Sequence, residues 1–191
     1  MARHKEYDEK EVLQKATELF RYQGYEKTSL QDLVSHMGIH RRSLYDTFGD
    51  KHTLFIKALE HYDNNMKKNM DIEVKKSQTA KDAIRSLLEM AISKDNEKSI
   101  GCLTVNSAVE LTLHDQVVAE KIEQNFSKTE KMMLEILLRG QKSGEISNRH
   151  DIEILSQFFL NSFVGLRVLV KTTNDKNKLK NIVDTTLSVL D

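Results

Sequence analysis

Residues 28–55 read TSLQDLVSHMGIHRRSLYDTFGDKHTLF, and the spacing of apolar residues along this stretch decides the fold. Thr28 and Ser29 are both residue types that cap helix N-termini. Gln31 and Asp32 follow three positions on, so TSLQ and SLQD each read as a capping box. Leu30, Leu33, Val34 and Met37 then form one apolar face at helical spacing, and Gly38 stops it. A second short helix is expected from about His40 to Phe48, with Ile39, Leu44 and Phe48 turned inward and Arg41, Arg42, Ser43, Tyr45 and Thr47 outward. Gly49 and Asp50 restart the chain into a longer lever helix. Its inner face carries Leu54, Phe55, Ala58, Leu59, Tyr62, Met66 and Met70, about five turns at roughly 5.4 Å each.

Upstream, Val12, Leu13, Ala16, Leu19 and Phe20 make a first apolar stripe that ends at Gly24, a position suited to a left-handed C-cap. Two short helices joined by a tight glycine-containing turn, braced by a third, are the parts of a helix-turn-helix DNA reader. The outward side chains suit that task. Arginine can donate two hydrogen bonds to guanine O6 and N7, a contact worth about 1–3 kcal/mol of discrimination. Tyrosine, serine and threonine hydroxyls suit phosphate oxygens. Lys51 opens the lever helix, where free backbone donors add to its charge.

With these residues in place, the chain resembles the TetR/AcrR family of transcriptional regulators over residues 9–62. The resemblance is carried by Ala16, Leu19 and Phe20, Gly24 and Tyr25, TSL at 28–30, Gly38 and Ile39, SLY at 43–45 and FGDKHTLF at 48–55. GCLTVNSAVEL at 101–111 and SGEI at 143–146 are similar to segments of one broad branch. The resemblance implies a homodimeric repressor on palindromic double-stranded operator DNA, released by a small-molecule effector. It also implies that Arg41, Arg42, Ser43, Tyr45 and Thr47 are groove and phosphate contacts, and that Thr28, Ser29 and Lys51 are backbone anchors. His40 departs from the family pattern, standing where a small capping residue is common.

The remaining 136 or so positions continue as helices, expected near 79–94, 102–113, 115–141, 151–171 and 176–190. Among 191 residues there is no proline and there are only seven glycines, which leaves few helix breakers. An all-α fold of about nine helices follows, with a helix-turn-helix domain at 1–50 and a ligand-binding and dimerisation domain at 51–191. An apolar share of 39% with 30% charged residues excludes a disordered chain. The start, MARHKEYDEKE, has no apolar stretch of the secretory kind, and FFLNSFVGLRVLV at 158–170 is short for a membrane span and carries Asn161, Ser162 and Arg167. A cytoplasmic protein with no membrane partner is expected. Lysine plus arginine and aspartate plus glutamate both total 29, so any basic site must be local. The first 55 residues hold nine basic and nine acidic side chains, 9 − 9 = 0. Moderate DNA affinity with a steep salt dependence is therefore expected.

The last two helices read as the dimer surface, through Phe158, Leu166, Leu179, Ile182, Val183, Thr186, Leu187 and Leu190. A ligand cavity is expected among the fourth to eighth helices, lined by Tyr62, Met66, Leu87, Cys102, Asn106, Glu110, Phe126, Phe159 and Phe163. Asn106 and Glu110, one turn apart, would anchor a polar group there. The lone Cys102 cannot form an intrachain disulfide. It reads as a small buried hydrophobe, or, following Gly101 at a helix start, as a thiol sensor. His36 and His40 are separated by Gly38 and lack partners for a zinc set, so neither metal nor cofactor is expected. No serine elbow, phosphate-binding glycine loop or paired-carboxylate motif marks an enzyme. The competing reading is a helical ligand-binding or thiol-sensing protein that keeps the reader fold without specific operator binding.

Overall fold

The computed structural model describes residues 7–93 and 101–191, which form nine α-helices and one terminal 3-10 turn, with no strand among them. The helices are α1 (Glu9–Gln23), α2 (Leu30–Met37), α3 (Arg41–Phe48), α4 (Lys51–Lys76), α5 (Ala80–Ile92), α6 (Leu103–Leu111), α7 (Gln116–Lys142), α8 (Ile152–Thr172) and α9 (Lys176–Leu187). Seven start on a side-chain cap: Asp8, Ser29, Asp50, Thr79, Asp115, Asp151 and Asp175 each accept a backbone N–H of the first turn. Such a cap satisfies one of the four donors a helix start leaves unpaired. The two helices begun without one are α3, on His40, and α6, on Cys102.

Of the two expected capping boxes, Ser29 and Asp32 form the real one, each side chain bonding the other's backbone. The lever helix α4 runs further than expected, through Lys75 and Lys76 to 26 residues, because the polar stretch after Val74 continues the last turn before Ser77 ends it. Gly24 closes α1 with φ +85° and ψ 173°. The positive φ requires glycine, but the ψ lies outside the left-handed helical well that a C-cap there would use.

Buried side chains form two apolar clusters, and the division does not follow the chain order. The first joins Phe20, Leu33, Leu44, Phe48 and Phe55 of α1–α4 to Cys102, Leu103, Val105 and Leu111 at α6 and to Val118 and Ile122 of α7. The second joins Met70 and the inner faces of α5, α7, α8 and α9. Helix α6 and the start of α7 are thus packed onto the helix-turn-helix unit.

The stripe expected to dimerise is mostly internal. Leu166, Leu179, Val183, Thr186, Leu187 and Leu190 are buried within their own chain, where α9 packs on α5 and α8, and Ile182 is half-buried. An amphipathic helix at the edge of a bundle turns its cleanest apolar stripe into its own core. Only Phe158 of the expected set is exposed. Helix α8 lies within one residue of the expected 151–171. At 21 residues it is the one described helix long and apolar enough to cross a membrane by length and composition. One of its faces packs against α5, α7 and α9 and holds the charged Arg167.

Candidate nucleic-acid interface and cavity

Helix α3 presents Arg41, Arg42, Tyr45 and Asp46 to solvent, with Leu44 and Phe48 anchoring its opposite side in the first cluster. His40 supplies no cap, so the first backbone N–H groups of α3 have no side-chain acceptor from it. The Arg41 guanidinium lies 5.9 Å from the Tyr45 ring centroid, and Arg42 Nε lies 3.7 Å from Asp46 Oδ2. Asp46 therefore competes with an incoming phosphate for Arg42.

Ser43 and Thr47 sit on a flank instead of the open face. The Tyr7 hydroxyl donates to the Ser43 carbonyl at 3.3 Å and lies 2.5 Å from Thr47 Oγ1, so the segment before α1 braces the reader helix. Thr28, expected as a backbone anchor, has its side chain turned inward. It is fully buried and its hydroxyl donates to the Gly24 carbonyl at 2.5 Å, closing the turn between α1 and α2. Ser29 stays exposed, with its hydroxyl occupied by Asp32. The ordered side chains in this tight turn consume the hydroxyls that spacing alone left available.

Lys51 is held in place by an aromatic stack. Its ammonium lies 4.2 Å from the Tyr25 ring centroid, and Tyr25 in turn packs on Phe20 and Phe55. Burial, with the carboxylates of Glu26, Asp115 and Asp50, pushes the Tyr25 phenol upward, so it stays neutral beneath the lysine. Beside it, His52 Nε2 meets Asp115 Oδ2 at 2.7 Å, tying the start of α4 to the start of α7. Burial pulls the Asp115 carboxyl up, but hydrogen bonds from the Val118 N–H and His52 outweigh it and leave it below its ordinary value.

Glu110 makes a second tie between the reader and the rest of the chain. Its carboxylate accepts the Tyr25 N–H at 3.0 Å and the Glu26 N–H at 2.9 Å. One turn back, Asn106 Nδ2 donates to the Arg21 carbonyl at 3.4 Å, while Lys171 donates to Asn106 Oδ1 at 3.0 Å. Arg21 Nε donates to the Gly101 carbonyl at 2.6 Å. Both polar residues expected to face a ligand thus face the end of α1 and the α1–α2 turn, where Glu110 accepts backbone N–H groups and Asn106 donates to a backbone carbonyl.

A cavity of about 270 Å³ lies between α4, α6, α7 and α8, near the lower end of the usual range for ligand sites. Four of the expected lining residues are in its wall: Met66, Cys102, Phe126 and Phe163. Five are not. Leu87 and Phe159 are fully buried in the second cluster, Asn106 and Glu110 point to α1, and Tyr62 is buried beneath the wall. Sequence reading missed Asp63, Thr104 and Arg167 in the wall, because a helix pattern alone does not say which partly apolar faces border an opening. Asp63 accepts from Thr104 Oγ1 at 2.6 Å, and burial lifts its pKa to about 6 against the pull of that bond and of Lys128 and Lys121. Cys102 is buried in the wall and carries no disulfide. Among the described residues no cluster could hold a metal ion.

Two family descriptions cover most of the chain. Residues 12–58 match the bacterial regulatory proteins of the tetR family, and residues 80–186 match the tetracyclin repressor-like C-terminal domain. The chain belongs to the TetR family. It is 37% identical over its whole length to YezE of Bacillus subtilis, a helix-turn-helix transcriptional regulator, and all of that protein is covered. It is 28% identical to the transcriptional repressor ComR of Escherichia coli, over 97% of this chain and 90% of that one. Among solved structures, the TetR regulator CifR, as a cysteine-substituted form bound to 26-base-pair operator DNA, superposes with a TM-score of 0.90 at 26% identity, with both chains fully covered. This TetR chain is accordingly a DNA-binding transcriptional regulator, with α1–α3 as its helix-turn-helix and a helical C-terminal part.

Proposed function

We propose that the protein is a cytoplasmic, homodimeric repressor that binds palindromic operator DNA and is released by a small molecule bound in the cavity. The observation that carries this reading is the open face of α3. Arg41, Arg42 and Tyr45 stand together beside uncapped backbone donors, with Lys51 fixed at the next helix start. Arg41 and Arg42 read base edges, whereas Lys51, Tyr45 and Ser29 meet the phosphate backbone. Thr47 and Ser43 shape the reader helix through Tyr7. The complex of CifR with operator DNA supports the same docking here. Residues 1–50 act as the reader and 51–191 as the sensing and pairing part, and no catalytic step is assigned.

Pairing is assigned to the outward stripe of α8. Ile154, Phe158 and Val168 are large apolar residues left exposed, and they recur with Asn161 and Gly165 at alternating spacings of four and three. A side chain built on Gly165 would meet open space in the single chain, which leaves room for a close partner helix. The two readers must then sit about one or more turns of DNA apart, roughly 34–36 Å each. Helix α6 borders the cavity and also grips the α1–α2 turn through Glu110. A ligand that prefers another placement of α6 and α4 lowers operator affinity by its differential binding free energy.

The test is a titration against the intergenic DNA upstream of its own gene and a scrambled duplex, at two salt concentrations. A preference of about 10³ or more for one site is expected. Equal, salt-abolished binding to both would refute specific regulation.

A further inference from the structure

Arg167 lies in the cavity wall on α8 with only 5% of its surface exposed. Among the described residues no carboxylate lies within ion-pair distance of it. Its Nη2 donates to Met66 Sδ at 3.4 Å, and its centre sits 5.1 Å from the Phe163 ring centroid. Its Nε has no hydrogen-bond partner. A guanidinium does not give up its proton in a protein, so the charge remains. A thioether and an aromatic face soften it, but neither supplies the counter-charge that a buried cation needs.

The Nε–Nη2 edge is the one that receives a carboxylate side-on, and here it offers one free donor and one held only by sulfur. The other buried side-chain atom without a partner among the described residues is the Tyr62 hydroxyl, which lies outside the cavity wall. Other charged groups of the cavity wall have partners of their own, Lys128 at its rim excepted. Lys121 pairs with Glu60 at 2.5 Å, Lys67 pairs with Asp71 at 2.6 Å, and Asp63 is bound to Thr104.

We infer that the cavity binds an organic anion, a carboxylate or similar oxyanion on a small apolar body, with Arg167 as counter-charge. Met66, Phe126 and Phe163 face the apolar body. The inference rests on the cavity being the effector site and names the effector's chemical class.

Calorimetric titration of the full-length protein with 4-phenylbutyrate, 4-phenylbutyramide, 4-phenylbutylamine and inorganic phosphate tests it. The first three share size and apolar body and differ in head-group charge. The acid is expected to bind at least about tenfold tighter than the amide and amine. Equal binding of acid and amide, tighter binding of the amine, or no binding by any of the three overturns the inference. Phosphate has the charge without the body and is expected to bind at least about tenfold more weakly than the acid. If it matches the acid, the assignment of an organic ligand fails.

Arg167→Met should abolish the preference for acid over amide and raise Tm, because an unpaired buried charge is replaced by an apolar chain of similar length. Arg167→Gln is the second variant, and it should lose the same preference. Retained preference in either variant, or a fall in Tm for Arg167→Met, overturns the role of the guanidinium. The probe comparison on the unsubstituted protein does not depend on either variant folding. Arg167-dependent binding of the acid that leaves operator affinity unchanged would refute the effector reading while the anion site stands. Specific operator binding without any preference for the acid would do the reverse.

Discussion

Replacing Gly24 by alanine should cost far more when Glu110 is present than when it is absent. A Cβ at Gly24 would lie 2.9 Å from one Glu110 carboxylate oxygen, closer than real contacts allow, and 3.0 Å from the other, a tight contact. Those oxygens accept the Tyr25 and Glu26 N–H groups, so the methyl must push the carboxylate off two hydrogen bonds. Hydrogen bonds to charged groups contribute about 1.5–3 kcal/mol each when sheltered. Here both are partly open to water, and about 1 kcal/mol each is the fitting value. Glu110→Ala should therefore destabilise by about 2 kcal/mol, lowering Tm by about 4–8 °C for a chain of this size. Gly24→Ala adds the strain of a positive φ with extended ψ, about 1–3 kcal/mol, to the loss of the clamp, for about 3–5 kcal/mol in all. In a Glu110→Ala background the clamp is already gone and only the strain remains. Thermal and urea unfolding of the four proteins, at one protein concentration because dimers are concentration-dependent, gives the coupling directly. A coupling of about 2 kcal/mol is expected, and additivity within about 0.5 kcal/mol would refute the clamp.

Arg41→Ala or Arg42→Ala should cost about 1–3 kcal/mol on the operator and relax base specificity, whereas Lys51→Ala should weaken every duplex alike and flatten the salt slope. Equal losses on operator and random DNA for all three would contradict that division. Asp46→Asn removes the acid beside Arg42 and should tighten binding to all duplexes, most at low salt, as anisotropy titrations would register. Asp63 has a folded pKa raised to about 6, so the folded state holds the proton more tightly than the unfolded chain. Its contribution is fully present below the unfolded value near 4 and is lost as pH rises through 6. Asp63→Asn, which still accepts from Thr104, should be more stable than the parent by about 2 kcal/mol at pH 7.5 and equal to it near pH 4, compared by unfolding at both. Val168→Glu places a charge on the outward stripe of α8 and should yield monomers in light scattering, and an unchanged dimer would exclude that stripe as the interface.

The helix-turn-helix and the exposed face of α3 were legible because their information is local. Capping residues, breaker glycines and apolar spacing act within a few residues, and the exposed placement of Arg41, Arg42 and Tyr45 follows from where Leu44 and Phe48 must point. The helix count followed from the same rule applied along a chain with no proline. What depended on distant partners was not legible. Nothing near Thr28 in sequence announces that its hydroxyl closes onto Gly24, and nothing near Thr47 announces Tyr7, 40 positions away. Glu110 and Asn106 form a polar ladder along one helix, and whether it faces a ligand or α1 is settled by how α6 is rotated in the bundle.

The apolar stripe of α9 shows the same limit, since periodicity identifies a face to be buried but not what buries it. Tertiary packing turned that stripe inward and left Ile154, Phe158 and Val168 of α8 outside. The sequence by itself determined an all-helical chain with a helix-turn-helix, because local capping and periodicity act within a few residues, and its motifs carried the resemblance to the TetR family. Only the tertiary structure decided the α6 clamp, the outward face of α8 and the buried charge of Arg167, because each depends on helices brought together from distant parts of the chain.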